Sequence, residues 1–171
     1  MSPPAKDSAK DSGKDSGKDD DDIWLDPNES PGYLVRDTNI AVGKALRRRL
    51  SDYGMTLGQY YFMRALWIEE GLSQRELSRR VGTTEPTTAS VLRLLEKNGL
   101  VRRVRNRRDR RTINIFPTPK GRNLKFELLR MAIHINEIAT EGLSSKDIET
   151  LKRLMTAMKA NLDRDEETAS A

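Results

Sequence analysis

Between Arg102 and Arg111 the chain holds seven arginines and one aspartate, a local charge of +6 against +5 for all 171 residues. The basic balance of the protein is therefore concentrated in ten residues. A guanidinium is a planar fork that pairs bidentately with a phosphate or with the edge of a guanine, whereas solubility alone is served as well by lysine. Ahead of this cluster stand Thr84, Thr87, Thr88, Ser90 and Arg93, hydroxyls and one guanidinium suited to base edges in a major groove. Ser73, Gln74 and Arg75 add a further polar group, and within the cluster Arg105, Arg107, Arg108 and Arg110 are candidates for phosphate or minor-groove contact. The bland alternative is a solvated basic hairpin without a partner. The polar helix directly before it argues for the nucleic-acid reading.

Other chemistries find no support. No cysteine is present, which excludes disulfides, thiolate metal sites and thiol redox sensing. One histidine, His134, cannot build a multi-histidine metal site, and on a helix flank it reads as an ordinary satisfied or exposed side chain. No Gly-rich phosphate loop, nucleophile–base pair or carboxylate cluster stands out, so neither an enzyme nor a cofactor or metal is expected. No apolar run is long enough to span a membrane and no signal-like apolar segment opens the chain, so a soluble, cytoplasmic location without membrane contact is the expectation.

The elements that must position these residues can be read from caps and periodicity. Thr84 is a helix N-cap, Pro86 is tolerated in the first turn, and Gly99 suits a left-handed stop. In that helix Val91, Leu92, Leu94 and Leu95 make an apolar stripe, leaving Thr87, Thr88, Ser90 and Arg93 for another face. Leu100–Val104 and Thr112–Phe116 read as two strands of a hairpin around the arginines. Upstream, Ser73 and Glu76 form a capping box that opens a short helix through Val81, and Gly82 turns it toward the next. Helix, glycine turn, helix and basic hairpin is the order of a winged helix-turn-helix.

Residues 1–22, with their Lys-Asp-Ser repeats and Asp19–Asp22, are a disordered low-complexity tail by composition, and 164–171 are a charged tail. Between them lies a folded region over 23–163. A long helix is predicted over Tyr33–Tyr53, stopped by Gly54, and Thr56 caps a second over Leu57–Ile68 that is apolar nearly all round. Thr118-Pro119 starts another helix, carrying Leu124, Leu128, Ala132, Ile135 and Ile138 and stopped by Gly142. Ser144 or Ser145 caps the last, whose Ile148, Leu151, Met155, Met158 and Leu162 step by three and four. The fold class is mainly α with a small β-hairpin wing. The DNA-binding part spans about 55–117, and helices over about 31–53 and 118–162 form a hub. These terminal helices exceed what a winged core needs, so a homodimer with a shared helical hub is the economical arrangement, matching a pseudo-palindromic duplex. An architectural protein that coats DNA with little sequence preference is the alternative.

Several stretches resemble the multiple antibiotic resistance regulator (MarR) family: Met55-Thr56-Leu57-Gly58-Gln59-Tyr60, Leu72-Ser73-Gln74-Arg75-Glu76-Leu77, Leu94-Leu95-Glu96-Lys97-Asn98-Gly99-Leu100-Val101-Arg102-Arg103, and Asp109-Arg110-Arg111 followed by Pro117-Thr118-Pro119-Lys120-Gly121. The resemblance covers about residues 30–163. It implies a dimeric winged helix-turn-helix transcription factor, usually a repressor, released from double-stranded DNA by a small-molecule effector such as an aromatic or phenolic acid or its CoA thioester. It further implies that Asp109 and Arg111 brace the wing while a wing-tip arginine enters the minor groove. By the same resemblance the second helix lies beside an effector cavity, for which Tyr60, Met63, Arg64 and Trp67 are candidates, with Arg36 and His134 from the flanking helices. The chain has Phe116-Pro117 where the family more often has a leucine before the threonine.

Overall fold

Capping residues lay out most of the architecture. The computed structural model describes residues 26–106, 109 and 111–169, in two units divided between Asp37 and Thr38. The expected tail over 1–22 and the wing arginines Arg107, Arg108 and Arg110 lie outside the described residues. In the first unit, Asp26 folds a turn by accepting from the Asn28 backbone N–H at 2.8 Å. Ser30 accepts from Tyr33 N–H at 3.3 Å, and helix α1 (Pro31–Leu50) begins.

Within the second unit, α1 continues to Leu50 and a 3-10 turn over Ser51–Tyr53 ends at Gly54, which is left-handed at φ 58°. Helix α2 (Leu57–Ile68) opens with a capping box, in which Thr56 and Gln59 satisfy each other's backbone N–H groups. A two-residue strand β1 (Leu72–Ser73) follows, then α3 (Gln74–Val81) behind the Ser73–Glu76 box. Gly82, at φ 70°, turns the chain into α4 (Glu85–Lys97), capped by Thr84. Strands β2 (Val101–Arg105) and β3 (Ile113–Pro117) form the hairpin, and β1 adds to the free edge of β3 to give the order β1-β3-β2, all antiparallel. Thr118 caps α5 (Pro119–Ala139), and α6 (Ser145–Ala169) completes the chain.

Helix α2 is the centre of the core. It packs against α3, α4, α5 and β3, and Tyr60, Phe62, Met63, Leu66 and Trp67 are buried there with Leu77, Leu92, Leu95, Ile115 and Leu128. The fold is that of a mainly helical winged helix-turn-helix.

Four expectations are corrected. The strands lie one residue later than expected, because Val101 pairs with Pro117 and the ladder is set by that register. A third strand, β1, exists because Gly71 N–H donates to Ile115 O at 2.8 Å, a tertiary contact with no local signature. Leu94 is 50% exposed and stands off the apolar stripe, which Leu92 and Leu95 occupy three residues apart. The last helix runs to Ala169, through the stretch expected as a charged tail, since no glycine or proline interrupts it. Helix α6 buries none of its residues in the single chain, and Leu151, Leu154, Met155 and Leu162 are 42–67% exposed.

Candidate nucleic-acid interface

The first turn of α4 is held by Thr84, whose hydroxyl accepts from Thr87 N–H at 3.4 Å and lies 2.9 Å from the Thr87 hydroxyl. Thr84, Thr87, Ser90 and Arg93 are all exposed. Arg93 is steadied along the helix by Ser90 Oγ at 3.3 Å and Ala89 O at 3.4 Å, so a preset guanidinium flanks the hydroxyls. Thr88 departs from this set. Its side chain is fully buried, within 2.8 Å of Ser78 Oγ on α3, and its hydroxyl donates to Thr84 O at 3.0 Å. A side chain without exposed surface reaches no base, so Thr88 is removed from the contact set. Threonine carries a methyl as well as a hydroxyl, and both are used inside.

Beside α4, Ser73, Gln74 and Arg75 open α3, with Arg75 exposed and Ser73 occupied as the cap. Arg75, Arg103 and Arg111 line one groove of about 330 Å³ with Ser73, Gln74, Glu85 and Thr112. Three guanidiniums bordering one groove suit a phosphate, tempered by Glu85 and by Glu96, whose Oε2 stands 3.2 Å from Arg103 Nε. Arg103 was not singled out from the sequence. The signal available was the run of arginines at the root of the hairpin.

The turn between the strands is built around Asp109. Its Oδ2 accepts from the Thr112 hydroxyl at 2.5 Å, its Oδ1 from Arg111 N–H at 3.0 Å, and its own N–H donates to Asn106 Oδ1 at 3.2 Å. These bonds hold its carboxyl below the ordinary aspartate pKa, the Thr112 hydroxyl first and the Arg111 amide second. Asp109 thus engages Arg111 through the backbone N–H, which leaves the Arg111 guanidinium on the groove. At the root of the wing the Arg102 guanidinium lies 5.2 Å from the Phe116 ring centroid, and Thr118 N–H donates to Leu100 O at 3.0 Å.

The residues expected to wall an effector cavity separate. Tyr60, Met63 and Trp67 are 2%, 0% and 9% exposed and pack in the core, α2 being covered by other elements on several sides. Arg64 does border a cleft of about 370 Å³, with Asn39, Tyr61, Ala65, Ile68, Arg80 and Val81. Its Nη1 donates to Tyr60 Oη at 3.2 Å, and its guanidinium lies 5.9 Å from that ring's centroid. Arg80 is drawn to Glu69 at 2.7 Å. His134 is exposed beside Glu137 at 3.4 Å and does not line this cleft. Arg36, on the first unit, is exposed with its guanidinium 5.6 Å from the Tyr33 ring. Among the described residues no three metal-ligating side chains gather, and no helix is long and apolar enough to cross a membrane.

Helix-turn-helix α3–α4 followed by an arginine-rich, sheet-rooted hairpin defines a winged helix-turn-helix protein. The MarR family model matches residues 53–112, the stretch from the α1–α2 turn to the wing. The HTH-type transcriptional regulator TtmR of Methylorubrum extorquens is 44% identical over 85 residues, covering 50% of this chain and 44% of that protein. The HTH-type transcriptional regulator SarZ of Staphylococcus saprophyticus is 32% identical over 108 residues, covering 62% of this chain and 74% of SarZ. The S. aureus MepR–DNA complex shares the fold with a TM-score of 0.70 at 24% identity, covering 77% of this chain and 98% of that one. The chain belongs to the MarR family.

Proposed function

We propose that the protein is a sequence-specific transcriptional regulator, a homodimeric repressor that leaves a pseudo-palindromic operator when a small-molecule effector binds. The observation that carries the reading is the exposed face of α4, with Thr84, Thr87, Ser90 and Arg93, set beside a wing whose ten root and tip residues carry a charge of +6. The helix supplies base contacts in a major groove. The wing and the groove of Arg75, Arg103 and Arg111 supply phosphate and minor-groove contacts, which add affinity without sequence information. Dimerisation uses the exposed apolar residues of α6, together with Ile138 and Leu143, which are 50% and 46% exposed in the single chain. A two-fold pair then places two copies of α4 on successive major grooves.

The effector in this reading is an aromatic or phenolic acid, or its CoA thioester, held at the cleft bordered by Arg64, Tyr61 and Ile68. Arg64 supplies a bidentate partner for a carboxylate, and the apolar residues supply the wall. A tenfold loss of DNA affinity on effector binding requires a coupling of about 1.4 kcal/mol between the two sites.

Selection of duplexes from a random-sequence pool with the full chain, followed by footprinting, tests the reading. Recovery of two inverted half-sites about one helical turn apart, protected as a pair, is expected. Recovery of no shared sequence would instead establish an architectural, weakly specific DNA-binding protein.

A further inference from the structure

The buried contact between α3 and α4 carries a consequence for base discrimination. Ser78 on α3 and Thr88 on α4 are 4% and 0% exposed, and their hydroxyl oxygens are 2.8 Å apart. Ser78 Oγ also stands 2.9 Å from Gln74 O, in the first turn of α3. The Thr88 hydroxyl donates to Thr84 O, the carbonyl of the α4 cap, at 3.0 Å. With Thr88 donating to Thr84 O, the bond between the helices is the one in which Ser78 donates to Thr88 Oγ1, and Gln74 O competes for the same Ser78 proton. The neighbours of Thr88 on its own face are apolar, Leu92 and Leu95, both fully buried. Apolar packing resists separation of two helices but is tolerant of small rotations and slides. A directional bond between buried hydroxyls is not, because a displaced hydroxyl loses its partner where no water replaces it.

We infer that Ser78 and Thr88 are positioning residues that set the rotation and height of α4 on α3, and so decide how well the exposed face of α4 registers with base edges. The inference rests on the reading of α4 as the base-reading helix. Thr84, whose carbonyl accepts from Thr88, is itself exposed at the start of α4, so the lock acts where the DNA would be met. Base contacts depend on the distance and angle of hydrogen bonds to fixed base edges, whereas phosphate contacts from long arginines adapt. Loss of the lock therefore lowers discrimination and spares the sequence-independent part of binding.

Thr88→Val keeps the shape and removes the hydroxyl, and Thr88→Ser keeps the hydroxyl and removes a methyl. Binding of the full chain to the best duplex from a random pool and to scrambled duplex is measured at matched salt, with helical content checked by circular dichroism. Thr88→Val should lower the ratio of the two affinities by about tenfold, equivalent to about 1.4 kcal/mol, with the scrambled-duplex affinity and its salt slope unchanged. Thr88→Ser should hold the wild-type ratio. Should Thr88→Val fold poorly, Ser78→Ala removes the other end of the same bond and must give the same loss. An unchanged ratio in either folded variant, or an equal loss in Thr88→Ser, overturns the lock. A wild-type chain without any preference overturns the base-reading assignment itself, and the lock with it.

Discussion

The indole N–H of Trp67, at the end of α2, donates to the carbonyl of Gly121, in the first turn of α5, at 2.9 Å across 54 residues of sequence. Gly121 is in turn so close to the α4–β2 connection that a Cβ built on it would lie 2.1 Å from Leu100 O and 3.1 Å from Met63 Cε. Helix α5 is thereby seated on the DNA-binding part by a buried bond and a backbone-to-backbone contact. Thr118 Oγ1 to Gly99 O, at 2.6 Å, and the Arg122–Glu70 pair add to it.

Gly121→Ala should therefore destabilise the fold by about 3 kcal/mol or more, at the upper end of overpacking costs because the obstruction is backbone. Trp67→Phe keeps an aromatic ring but leaves the Gly121 carbonyl without its donor, a cost of about 1–3 kcal/mol. Urea unfolding followed by circular dichroism measures both. A Gly121→Ala midpoint equal to wild type would contradict the close approach.

Asp109→Ala removes the acceptor of the Thr112 hydroxyl and of the Arg111 N–H. The residue is exposed at a hairpin turn, so the thermal midpoint should barely move while affinity for every duplex falls several-fold. Loss confined to the specific duplex would show that the turn presents base contacts rather than phosphate contacts.

Leu151→Asp places a carboxylate in the exposed apolar stripe of α6. If a second copy covers that stripe, burying the charge costs several kcal/mol unless it finds a partner, and the dimer dissociates. Sedimentation velocity should report a monomer, and specific-duplex binding should fail with the wing intact. A dimer that persists would remove Leu151 from the hub.

Among the described residues, four carboxyls with lowered pKa values tie stability to pH. The Arg122 guanidinium lowers the Glu70 pKa, Ser73 that of Glu76, the Thr112 hydroxyl that of Asp109 and the Ser144 hydroxyl that of Asp147. Each folded pKa lies below its ordinary value of 4.5 or 3.8. The stabilisation these groups give is fully present above those values and is lost as pH falls through the lower folded ones. Their contribution to the thermal midpoint, slight for the exposed Asp109 and Asp147, should be flat from about pH 5 to 8 and fall away below about pH 4. Glu70→Gln should flatten part of that acid limb. An unchanged limb would mean that the Arg122 pair contributes nothing.

Caps made much of this fold legible in advance, because a cap is a local event: Thr56, Ser73 with Glu76, Thr84 with Pro86 and Thr118 with Pro119 all open helices where expected. Strand β1 was not legible, since two residues carry no periodicity and Leu72 becomes a strand by pairing with Ile115, 43 positions on. Thr88 stands four residues before Leu92 and seven before Leu95, so helical spacing alone sets it on the buried face, against what its polar residue type suggests. For Tyr60, Met63 and Trp67, residue type does not tell a pocket wall from a packed core. Arg64, which borders the cleft with Asn39 and Tyr61, is the charged one of these α2 candidates.

Whether α4 reads bases and the wing holds the backbone is tested by comparing Arg93→Ala with Arg105→Ala on the selected and scrambled duplexes across a salt series. Arg93→Ala should lose discrimination by about 1–3 kcal/mol with the salt slope intact. Arg105→Ala should weaken both duplexes alike and reduce the slope by about 1, the signature of one lost phosphate contact. Two variants that behave alike on both duplexes would contradict the assignment of α4 to bases and of the wing to the backbone.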